Sequence, residues 1–162
     1  MAIPVDVEMV GLGFYYEEMP QGRRFRTIGR TITDADITAF VGVTGMTEVL
    51  FTNLVYARSE SVMKGRVAPA ALVVAFAEGL VMQTTLQHTG LAFLGMSLEV
   101  KRPVMAGDTI TVVCEVSAAR LTSNRARGIV TTRNDIYNQD DELVVTYTPT
   151  RMIKCRSGAI PD

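Results

Sequence analysis

Glu48 is the only charged residue between Val41 and Ala57. A carboxylate set in an apolar cleft is held toward its protonated form, the condition that suits general acid–base work. The alternative is a structural carboxylate, satisfied by backbone N–H groups or by Arg58 or Arg66. Thr44, Thr47, Thr52 and Asn53 flank it, and such groups either place a water or substrate hydroxyl or cap turns. A second chemical feature begins at Pro69. Proline suits a helix start, and the N–H groups behind it, at Ala70 and Ala71, are left unpaired with a partial positive charge. Donors of that kind polarise a carbonyl; otherwise water or the preceding loop satisfies them. Arg66, just before this helix, is placed to meet Glu48 or a phosphate. Lys101 and Arg102 on one loop, and Arg120, Arg125 and Arg127 around another, are either phosphate contacts or solvated loop charges.

Other chemistry is poorly supplied. The single histidine, His88, follows the second helix in a polar Gln-His-Thr-Gly turn and reads as a helix-end residue near the favourable dipole. No Cys or His pair has metal-ligand spacing, so no metal is expected. Cys114 and Cys155 sit in strand-like apolar stretches and read as reduced core thiols. Of the nine methionines, Met46, Met63, Met82 and Met96 are candidates for an acyl-channel lining, because Met adapts to irregular shapes.

Two helices and a run of strands must carry these groups. Residues 1–24 read as an irregular arm, punctuated by Gly11, Gly13, Pro20 and Gly22, with Phe14, Tyr15 and Tyr16 available to dock on the body. Residues 25–32 read as a strand. Thr33-Asp34-Ala35-Asp36 is a helix start, and Ile37, Phe40 and Val41 form one apolar face before Gly42 and Gly45. Residues 46–68 read as a partly helical segment lying over the body. From Ala70 to about Gln83 the run is apolar nearly all round and rich in alanine, which predicts a helix buried on most sides. Alternation then predicts strands over Leu94–Lys101, Ile110–Val116, 126–137 and 142–154, with Pro149 marking an edge position or a bulge. An antiparallel sheet curled around one helix satisfies this order.

The 162 residues, 48% of them hydrophobic, suit one domain spanning 1–162 with one full core. Sixteen basic residues against seventeen acidic leave a net charge of -1, which gives no reason to expect a nucleic-acid partner. The stretch from Gly79 to Arg102 is too polar to span a bilayer, and Met1 to Glu8 lack the pattern of a signal peptide. No membrane partner and a cytoplasmic location are the expectations.

Three segments, in order, resemble the MaoC-like acyl-CoA hydratase family of the hot-dog fold: Tyr16-Glu17-Glu18 through Gly22 and Phe25; Arg30-Thr31-Ile32-Thr33-Asp34-Ala35-Asp36-Ile37; and Phe93 to Val104 followed by Gly107-Asp108-Thr109-Ile110. The resemblance implies an α+β fold in which an antiparallel sheet wraps one central helix. The family's signature, Gly-Asp-x-Asn-Pro-x-His, aligns with Gly45-Met46-Thr47-Glu48-Val49-Leu50-Phe51. Met46 stands at the aspartate position and Phe51 at the histidine position, and neither side chain transfers a proton. Ala68-Pro69-Ala70-Ala71 stands where the family often has Ala-His-Gly-Met.

The resemblance therefore implies a hydratase or dehydratase of acyl-CoA or another acyl thioester with a non-standard site. Glu48 is the catalytic candidate, and Met46, Phe51, Asn53, Arg66, Ala70 and Ala71 are the substrate-binding candidates. A non-catalytic acyl-CoA-binding or assembly subunit, paired with a catalytic hot-dog chain, is the alternative from another class, and thioester hydrolysis is a third. No cofactor is implied beyond coenzyme A as part of the substrate. A homodimer or higher oligomer is expected, with the pocket between protomers.

Overall fold

A computed structural model of the chain describes residues 7–123 and 125–156. Two short strands, β1 (Arg24–Arg26) and β2 (Arg30–Thr31), precede α1 (Asp34–Thr44), α2 (Val49–Thr52), α3 (Leu54–Ser59) and α4 (Ala70–Thr85). Four long strands follow: β3 (Gly90–Val100), β4 (Thr109–Leu121), β5 (Arg127–Tyr137) and β6 (Leu143–Lys154). The sheet runs β1-β4-β5-β6-β3, with β2 also on β4, and all pairs are antiparallel.

Local chemistry explains the boundaries. The hydroxyl of Thr33 accepts from the Asp36 N–H, and the Asp36 carboxylate accepts from the Thr33 N–H at 2.8 Å, closing a reciprocal cap at the start of α1. Gly45, at φ 71°, ends that helix. The strand expected over 25–32 is split. Thr27 turns its hydroxyl onto the Val112 N–H, and the side chain takes a place in the ladder that a carbonyl would otherwise hold.

Leu72, Val73, Ala77, Leu80 and Val81 of α4 lie buried with Ile110, Val112, Cys114, Ile136 and Tyr147 of the sheet. Each large apolar side chain so removed from water contributes about 1.5–3 kcal/mol. The helix is not buried all round, however. Ala71, Ala75 and Met82 face outward, as do Phe93, Met96, Leu98 and Val100 on β3, the strand at the free edge. Among the described residues nothing covers this face.

Pro149 also departs from expectation. It sits in β6, between β5 and β3, and not at an edge. The β5 ladder runs through Thr131–Thr150 and resumes at Asn134–Tyr147, skipping the place where a proline has no N–H to give. A bulge in β3, between Phe93 and Gly95, lies alongside.

The arm docks as expected from its aromatics. The Gly13 and Phe14 N–H groups donate to Gln87 and Thr85 carbonyls, and Phe14 meets Phe25 edge-on at 5.7 Å. A Cβ on Gly128 would lie 1.9 Å from the Tyr16 ring, so only glycine lets the arm close on β5. Residues 1–6 of the arm lie outside the described residues. Among the described residues no helix is long and apolar enough to cross a membrane.

Candidate functional site

A cavity of about 330 Å³ opens at the start of α4. Leu50 and Phe51 of α2 and Met63 form one wall. Ala70 and Val73 of α4, with Val67 and Ala68 before it, form the second. Residues 100–104 and Val145 close the third. Sequence places these walls together for plain reasons. The Ala68 N–H donates to the Val104 carbonyl at 2.8 Å, and Val67 bridges to Met105, so the segment entering α4 lies against the chain leaving β3.

The lining is apolar, with Lys101 and Arg102 its only charged members among the described residues. Both are engaged: Lys101 with Glu99, and Arg102 with Glu142 at 3.3 Å. Pro69 gives α4 no side-chain cap. The first N–H groups of any α-helix lack an intrahelical acceptor, so Ala70, which lines the cavity, and Ala71, which follows it outside the lining, carry such donors.

The residues singled out from sequence distribute unevenly. Phe51 and Ala70 line the cavity; Met46, Glu48, Asn53, Arg66 and Ala71 are not in its lining. Glu48 is exposed, not set in an apolar cleft. Its carboxylate accepts from the Leu50 N–H at 2.7 Å and caps α2, the helix that carries Leu50 and Phe51 to the cavity. Asn53 caps α3 through the Val55 and Tyr56 N–H groups. Arg66 meets neither Glu48 nor an open site; it pairs with Asp34 at 3.2 Å and donates to Thr38 at 2.7 Å, pinning α1 to the segment before α4. Met46 is partly exposed, not shielded beside Phe51.

Other candidates are remote. Arg127 pairs in register with Lys154, at the end of β6 opposite Val145. At about 3.3 Å per residue that separates the Arg120–Arg127 loop from the cavity by roughly 30 Å. His88 precedes Gly90, which pairs with Ile153, while Val100 pairs with Val145 at the cavity. Within one protomer, the imidazole is thus at the far end of β3, again roughly 30 Å away. Its backbone holds a φ of 60°.

Sequence reasoning passed over one buried group. Glu78 accepts from Arg151 through both carboxylate oxygens, at 2.5 and 2.6 Å, a part-buried tie between α4 and β6. Asn134 and Tyr147 lie nearby, fully buried. Burial, then the Glu78 carboxylate, push the Tyr147 phenol up from its ordinary value. The signal was present: Glu78 is the lone charge in the apolar run from Ala70 to Met82. The pair opens on a second cavity of about 230 Å³, walled by Met82, Leu86 and residues 90–93. Beneath α4, burial pushes the Cys114 thiol up to about 12, so it is no nucleophile at neutral pH. Among the described residues no group of three or more His, Cys, Asp or Glu side chains is placed to hold a metal.

Residues 20–147 match the family model described as FAS1-like, dehydratase domain region. An (R)-specific enoyl-CoA hydratase of Rhodospirillum rubrum is 32% identical over 103 residues, covering 64% of this chain and 69% of that protein. The solved MaoC-like dehydratase from Rhodospirillum rubrum superposes with a TM-score of 0.77 at 27% identity, over 89% of this chain and 99% of that one. A Mycobacterium tuberculosis protein with a double hot-dog fold gives a TM-score of 0.77 at 23% identity, over 96% of this chain and 48% of that one. At that identity the last likeness is one of fold.

Proposed function

The chain belongs to the FAS1-like dehydratase domain family and has the hot-dog fold, and from that premise we propose that it binds an acyl thioester and adds or removes water at the C2–C3 bond. The observation that carries the reading is an apolar cavity of about 330 Å³ bordered by the uncapped start of α4. The acyl group lies in the cavity, and its thioester carbonyl accepts from the Ala70 and Ala71 N–H groups. Those donors favour the enolate-like charge that develops there during hydration. Coenzyme A, or another carrier, remains outside beyond Lys101 and Arg102, and no further cofactor is required. The buried thiols Cys114 and Cys155 suit a reducing cytoplasm.

Hydration also needs a proton acceptor. Met46 and Phe51 stand at the two positions that supply it in the resembling family, and neither can. Glu48 caps the helix that forms one wall, two residues before Leu50 of the lining, whereas Glu99, beside Val100, is paired with Lys101. Glu48→Gln keeps the capping oxygen and removes the basic site. The expected result is a fall in enoyl-CoA hydration of about 10²–10⁴-fold with an unchanged Tm. Unaltered hydration by the variant overturns Glu48's role. No hydration of crotonyl- or octenoyl-CoA by the parent chain overturns the enzymatic reading.

The second reading is an acyl-binding or assembly subunit. It is favoured by a lining without Asp, Glu, His or Cys side chains among the described residues. It is also favoured by the outward apolar face of α4 and β3, which suits a second hot-dog unit, here a second copy of the chain. Acyl-CoA binding without turnover of any enoyl-CoA supports this reading over the first.

A further inference from the structure

We infer that the acyl group taken by the α4 cavity is an apolar medium chain of roughly six to ten carbons, counting a methylene as about the size of a water molecule. This rests on the proposed acyl-thioester site and goes on to assign its substrate class. The cavity measures about 330 Å³. One water's share of liquid volume is about 30 Å³, so the space holds about eleven such groups. A four-carbon acyl group fills little more than a third of it and leaves water against apolar walls.

The walls decide the chemistry as well as the length. Val73, Val104 and Val145 are almost wholly buried and form the fixed side. Phe51 is half-buried against the core, and Met63, on the exposed side, is free to adapt to a chain. None of these side chains offers a hydrogen bond to a hydroxyl or carboxylate on the acyl tail, and a buried polar group without one is disfavoured. Lys101 and Arg102 are already paired with Glu99 and Glu142, so a second anion at the tail finds no free cation in the lining. The class is therefore a hydrocarbon tail without polar substituents.

The test is calorimetric titration of the full-length protein, in its native oligomeric state, with coenzyme A alone and with butanoyl-, hexanoyl-, octanoyl-, decanoyl- and dodecanoyl-CoA. Each two-carbon step tightens Kd by about fifteenfold while the chain is still entering apolar space. The gain stops at about ten carbons, where the volume is used. Met63→Trp, a change on the exposed side, moves this plateau to shorter chains. Phe51→Ala moves it to longer ones. A Kd that is flat or weakens beyond butanoyl-CoA overturns the medium-chain assignment while leaving the acyl-thioester site intact. A plateau that neither variant moves overturns the cavity as the place where the tail lies. Acyl-CoAs that all bind no more tightly than coenzyme A, with no enoyl-CoA hydrated, overturn the site itself.

Discussion

Glu78→Gln tests the ion pair beneath α4. Arg151 is 8% exposed and Glu78 19%, and two oxygens of the carboxylate take one guanidinium nitrogen at 2.5 and 2.6 Å. Amide replacement leaves the guanidinium charge in place near fully buried Asn134 and Tyr147. Removing one partner of such a buried pair costs about 3–5 kcal/mol. Replacing both, as Glu78→Leu with Arg151→Met, removes the stranded charge together with its partner. That double variant is expected to be as stable as the parent or about 1–4 kcal/mol more so. Urea unfolding followed by far-UV circular dichroism reads both, with the m-value unchanged because the surface exposed on unfolding is the same. A loss below about 1 kcal/mol for Glu78→Gln is what a solvated surface pair gives. It would refute the argument by showing that water from the 230 Å³ cavity reaches Arg151.

Thr33→Ala removes the hydroxyl half of the α1 cap and is expected to cost about 1 kcal/mol at neutral pH. Hydrogen bonds from the Thr33 hydroxyl and N–H hold the Asp36 carboxyl below its usual value. A depressed carboxyl stabilises the fold above its unfolded value, and that contribution is lost as pH falls through the folded one. The Thr33→Ala deficit should therefore shrink below about pH 4 in urea titrations run at several pH values. Ala77→Leu, at a position with no exposure, overpacks the core and lowers stability by about 1–3 kcal/mol in the same assay. Ala75→Arg, on the outward face, leaves secondary structure intact and shifts sedimentation toward the single chain. Cys114 is expected to resist iodoacetamide at pH 8 in the native protein and to react on unfolding, as read by mass spectrometry.

The architecture was legible because its signals are local and periodic. Thr33 through Asp36 announce a cap, Pro69 opens α4, and alternation from Leu94 onward gives the strands. The site was less legible because a side chain's surroundings are set by residues distant in the chain. Glu48 looked enclosed because its sequence neighbours are apolar, yet it lies at an exposed helix start where the Leu50 N–H claims it. Arg66 is drawn to Asp34, thirty-two residues away, and no spacing rule announces that pairing. The outward face of α4 was read as buried because composition reports how much surface wants cover, not whether the same chain provides it. Pro149, read as marking an edge or a bulge, is not at an edge: the β5 ladder skips a rung there, and the bulge beside it is on β3.

The two irregularities in β3, at Leu91 and Leu94, carry a consequence for aggregation. A long apolar strand at a sheet edge is an open template that any extended segment can join, and fibrils grow from such edges. Bulges bend a strand and raise its local twist, so the free rim of β3 is not one flat rail but short runs at different angles. A straight stray strand can match only part of it. A partner that shares the same kinks, as an identical chain does, can follow the rim for longer. The bulges thus act as a filter against indiscriminate strand addition. Straightening them, for instance by deleting Leu94, is expected to turn a selective edge into a fibril-forming one.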